Sequence, residues 1–65
     1  MPYSVDLFFL TKGPDHQTNF STMLLKLVFK ADSQNLEKLR KGFPNAVNMV
    51  ETYQKTGEIL DLEYD

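Results

Sequence analysis

The sequence predicts a small, mainly α domain: three helices in succession, with an apolar segment at each end of the chain packed across the first of them. Three observations lead there. Residues 19–31, NFSTMLLKLVFKA, place Phe20, Met23, Leu24, Leu27, Val28 and Ala31 at i, i+3, i+4, i+7, i+8 and i+11, one apolar stripe of helical period. Helix punctuation then recurs twice, with Asp32-Ser33 and Pro44 as starts and Gly42 and Thr56-Gly57 as stops. The ends, residues 1–11 and 58–65, are apolar without being long enough to stand alone. With 65 residues there is room for one domain, 1–65.

Residues 1–11, MPYSVDLFFLT, read in two ways. Tyr3, Val5, Leu7 and Phe9 alternate as in a strand. Alternatively Ser4 is an N-cap, Asp6 lies in the first turn and Lys12-Gly13-Pro14 ends a short helix. Periodicity does not separate these for so short a run; helix is slightly preferred. Residues 12–18, KGPDHQT, form a polar connector, and Thr18 or Asn19 caps the helix 19–31. In that helix Leu25 and Phe29 fall on the flank of the stripe, while Thr22, Lys26 and Lys30 make a polar strip. An apolar arc of about two-thirds of the circumference needs cover on more than one side, so this helix is expected at the centre of the fold.

The helix 33–42 carries Leu36, Leu39 and Phe43 on one face and collects Lys38, Arg40 and Lys41 at its end, before a Gly42 free to take positive φ. Phe43 precedes a proline and is disfavoured as helix; Pro44 pre-sets the first turn of the helix 44–56. There Ala46, Val47, Met49, Val50 and Tyr53 form the inward face. Residues 58–65, EILDLEYD, return to alternation, with Leu60, Leu62 and Tyr64 on one side and Asp61, Glu63 and Asp65 on the other. This segment is either an arm laid on the helix 19–31 or a strand paired with residues 5–10.

Composition excludes more than it assigns. There is no cysteine, so disulfides and thiolate metal sites are out, and a reducing cytoplasm is the expected setting. No signal peptide or membrane span is read, because the run Leu7–Leu10 is too short. One histidine, His16, stands in a loop beside Asp15 and makes no catalytic pair by adjacency. No phosphate-binding glycine pattern and no calcium loop exists. We expect no enzyme, no metal and no cofactor.

Charge is uneven. Residues 26–41 hold Lys26, Lys30, Lys38, Arg40 and Lys41 against Asp32 and Glu37, whereas residues 51–65 hold Glu51, Glu58, Asp61, Glu63 and Asp65 against Lys55. The simple reading folds the acidic end onto the basic middle of its own chain; the other offers two faces to partners. Leu25, Phe29, Lys38, Arg40, Lys41, Asp61, Glu63 and Tyr64 are the residues expected to meet a partner. The function expected is a small protein-interaction module, of inhibitor or adaptor type, with self-association as one form. Two alternatives remain. Helices 33–41 and 44–55 have the length of a helix-turn-helix, with Asn45, Asn48, Gln54 and Lys55 toward nucleic acid, although the net charge of −2 opposes it. An oligomer could instead use Lys38, Arg40, Lys41 and a tyrosine to hold a small phosphorylated ligand.

Overall fold

The computed structural model describes residues 2–13 and 19–65. They form α1 (Tyr3–Thr11), α2 (Phe20–Lys30), α3 (Ser33–Gly42) and α4 (Pro44–Thr56), followed by an extended segment, 58–65. The mainly α class stands, with four helices in place of three, because residues 3–11 coil. The tail is an arm: among the described residues no strand forms, and the arm makes one isolated antiparallel bridge, Pro2 to Glu63. His16, the Thr18 cap and the Pro14 stop lie outside the described residues.

The first turn of α1 is built differently from its sequence expectation. Pro2, in extended geometry, occupies the N-cap and supplies no side-chain cap. Ser4 sits inside the helix and donates its hydroxyl to Asp61 at 3.1 Å. The exposed Tyr3 backbone N–H is satisfied by the Leu62 carbonyl at 2.8 Å. Tyr3 and Leu7, one turn apart, are buried, and Val5 and Phe8 face outward. At the far end Lys12 and Gly13 both donate to the Phe8 carbonyl. A Cβ at Gly13 would stand 3.2 Å from the Phe9 Cα, a tight approach that any larger residue could make only with a shift of the chain.

Helix α2 starts at Asn19, whose side-chain oxygen accepts from the Thr22 N–H at 2.9 Å. Its inward face is Thr22, Leu24, Leu25 and Val28. The expected stripe is therefore turned by roughly one residue step, about 100°: Leu25 is core, and Phe20, Met23 and Leu27 lie outside. The cause is Thr22. Its hydroxyl donates to Asp6 of α1 at 2.8 Å, and neither group is exposed enough to be solvated.

Asp32 caps α3 by accepting from the Asn35 N–H at 2.8 Å. Gly42 is the last residue of α3, and among the described residues only Gly57 takes positive φ, so the expected left-handed stop at Gly42 is not used. Phe43, at φ −136° and ψ 64°, both ends α3 and starts α4. It has no capping side chain. The carboxylate of Asp65 takes that role, accepting from Asn45 N–H at 2.8 Å and Ala46 N–H at 3.1 Å. Pro44 at the first position has no N–H to satisfy. Gly57, at φ 78°, ends the helix as expected, donating to the Tyr53 carbonyl.

The core gathers Tyr3, Leu7, Leu24, Leu25, Val28, Ala46, Val47, Met49 and Val50, with Ile59, Leu60 and Leu62 of the arm packed on it. Helix α4 packs against α1, α2 and α3, whereas α2 packs against α1 and α4. The hub is thus α4, and the expected centre, α2, is one wall.

Two measurements check this arrangement. Leu25→Ala should destabilise by about 3 kcal/mol and Leu27→Ala by less than about 0.5, read by chemical denaturation. Asp65→Ala, which strips the α4 cap, should cost about 2 kcal/mol and lower the melting temperature.

Candidate interaction surface

The rotation of α2 leaves large apolar side chains in water. Phe20, Met23 and Leu27 are 70%, 49% and 51% exposed. Their spacing, i, i+3 and i+7, aligns them along one side of the helix. The Phe20 ring rests against Phe43, with centroids 6.0 Å apart, so the stripe begins beside the α3–α4 junction.

At its other end the stripe opens into a groove. Ala31 and Asp32 are extended and redirect the chain between α2 and α3. Both helices pack on α4 and not closely on each other. The space between their facing sides is a hollow of about 420 Å³ lined by Leu27, Lys30, Ala31, Asn35, Lys38 and Leu39. Its lining is apolar at Leu27, Ala31 and Leu39, with Lys30 contributed by α2 and Lys38 and Asn35 by α3. Helix α3 is held by Arg40, which grips Glu51 of α4 with two bonds of 3.0 and 2.7 Å and also meets Glu37 at 3.3 Å. The Glu51 carboxyl is lowered by that grip, and the Arg40 guanidinium is held still more firmly in its charged form.

The residues expected from sequence to meet a partner are scattered. Leu25 is fully buried. Phe29 is half-buried, edge-on to Tyr53 at 6.4 Å, and lines a shallower hollow with Leu10, Thr11, Lys26 and Lys30. Arg40 is committed to Glu51. Lys41 is exposed in the last turn of α3, and Lys38 alone joins the groove. Of the nucleic-acid candidates, Asn45 donates its amide to the Glu63 carbonyl at 3.0 Å, while Asn48, Gln54 and Lys55 share the outer side of α4 with Glu51.

The tail residues are engaged with the body of the chain. Asp61 accepts from Ser4, and the Glu63 carbonyl accepts from Asn45. Tyr64 donates to Asp6 at 2.6 Å and stacks edge-on with Tyr3 at 4.8 Å. Tyr3 donates to Asp65 at 2.7 Å. Burial first, and then that bond to a carboxylate, pushes the Tyr3 hydroxyl up to about 12. Tyr64 is raised too, chiefly by its bond to Asp6. The acidic arm therefore folds onto its own chain through hydroxyls and backbone amides; among the described residues no salt bridge ties it to the basic segment.

The sequence reading set Phe20, Met23 and Leu27 on the apolar stripe expected to be covered, and it put Lys30 on the polar strip without grouping it with Asn35 and Lys38. A signal was present: a threonine in an otherwise apolar helix and an aspartate in an otherwise apolar segment each need a buried polar partner if they face inward. Among the described residues no group of acidic or histidine side chains could hold a metal, and no helix is long and apolar enough to cross a membrane. The chain matches no protein-family model, no curated protein and no solved structure.

The tyrosine latch has an alkaline signature. A hydroxyl raised in the folded state contributes stability that is complete below its ordinary value of 10.0 and is lost as pH climbs toward about 12. Wild type should lose melting temperature more steeply between these pH values than Tyr3→Phe does. Parallel slopes would remove the Tyr3 bond from the account.

Proposed function

We propose that this chain is a small, non-enzymatic protein-interaction module of the inhibitor or adaptor kind, acting in the cytoplasm, and that its contact surface is the outer side of α2 with the adjoining α2–α3 groove. One observation carries this reading: three large apolar side chains in a row on one helix remain about half or more exposed. Burying each against a partner is worth about 1.5–3 kcal/mol, so this strip repays covering more than any other part of α2. Phe20, Met23 and Leu27 are not among the residues that form the core or pack against it. A surface that is dispensable for folding and costly to leave wet is the expected mark of a docking face.

Met23→Asp with Leu27→Asp tests it. Both side chains are exposed, so the double variant should keep its helical circular-dichroism spectrum and its melting temperature within a few degrees. A partner co-purified with the wild type from its native host and then reconstituted from pure components should lose at least tenfold in affinity. Undiminished affinity of the folded variant would transfer the interface elsewhere. Light scattering of the chain alone, across concentrations, shows in the same experiment whether the partner is a second copy.

A further inference from the structure

We infer, resting on the docking face just proposed, that its occupant is an amphipathic α-helix whose apolar side is flanked by carboxylates. The groove selects this chemistry in three ways. Its apolar lining, Leu27, Ala31 and Leu39, continues the line of Met23 and Phe20, which suits apolar anchors repeating at i, i+3 or i+4 and i+7. Its length suits a helix as well: the eleven residues of α2 rise about 16 Å, so an occupant lying along it needs about three turns. Its charged lining is cationic, with Lys30 from α2 and Lys38 from α3, and among the described residues neither lies in a salt bridge with a carboxylate.

Charge also ranks the other occupants. A second copy seated by two-fold symmetry would bring α2 against α2, a helix with two lysines and no acidic residue, and would crowd like charges. The acidic arm of a neighbouring molecule already has its Asp61 and Asp65 carboxylates engaged with Ser4, Tyr3 and the first turn of α4, and the arm itself lies on its own core. An anionic bilayer would answer the lysines, but the net charge of the chain is −2, which opposes an anionic surface. A carboxylate-flanked helix satisfies the apolar lining and both lysines together.

The test uses the intact chain and two fluorescein-labelled synthetic helices of sixteen residues, each with a leucine stripe; one carries glutamates beside the stripe and the other lysines. Fluorescence anisotropy at 50 and 300 mM salt should show the glutamate helix binding at least tenfold tighter than the lysine helix, with the preference shrinking as salt rises. Lys30→Glu with Lys38→Glu, both exposed and folded by circular dichroism, should reverse the preference. Leu27→Asp should abolish binding of either helix. Equal binding of both helices, lost in Leu27→Asp but indifferent to the lysines, would overturn the acidic occupant and leave the docking face standing. No Leu27-dependent binding of either helix, together with no Leu27-dependent vesicle flotation and no Leu27-dependent dimer, would overturn both. Leu27-dependent flotation with phosphatidylglycerol vesicles, or a dimer that Leu27→Asp dissociates, without peptide binding, would replace the acidic helix with a membrane or a second copy.

Discussion

The orientation of the whole bundle depends on Asp6. Its carboxylate is buried, and a buried carboxylate without donors costs several kcal/mol. Two hydroxyls answer it, Thr22 from α2 and Tyr64 from the arm. The three residues come from three separate parts of the chain, so meeting one electrostatic requirement fixes α1, α2 and the arm against each other. Once Thr22 must face Asp6, α2 presents Leu24, Leu25 and Val28 to α4 and has no way to turn Phe20, Met23 and Leu27 inward as well. The apolar surface outside is the consequence of a polar group inside.

The arm works by the same logic at the other end of the molecule. Helix α4 begins directly after Phe43, a residue with no oxygen on its side chain, so its first free N–H groups need an acceptor from elsewhere. Asp65 supplies one from twenty positions downstream, and the same carboxylate receives the Tyr3 hydroxyl. Of the acidic row, the Asp61 and Asp65 carboxylates accept from hydroxyl and backbone donors of the helices, and Glu63 accepts through its main-chain carbonyl. Among the described residues the arm makes no salt bridge to Lys30 of α2 or Lys38 of α3, both of which are exposed.

Local chemistry was legible where it is decided locally. Asn19, Asp32, Pro44 and Gly57 mark helix ends through bonds and dihedrals that reach only a few residues, and the bounds read from them agree with the structure to within a residue. The inward face of α4 was legible because its apolar arc is narrow. That of α2 was not. Its arc spans about two-thirds of a turn, so periodicity alone permits many rotations, and the choice is made by Thr22 and Asp6, sixteen residues apart. The same holds for Asp65: nothing near it in sequence says that it caps a helix. For the same reason Phe20, Met23 and Leu27 were recognised as apolar and placed on the stripe that needs cover, whereas the structure leaves them exposed.

The bond between Tyr3 and Asp65 joins residues 62 positions apart. A nascent chain that has delivered α4 but not yet residue 65 holds an uncapped first turn, an Asp6 lacking one of its two donors and a core without its lid of Ile59, Leu60 and Leu62. Its helices can coil as they emerge, but the contacts that lock them span as many as 62 positions. The fold therefore locks only when residues 64 and 65 reach α1 and α4, and until then the apolar sides of α1 and α2 lack part of their cover.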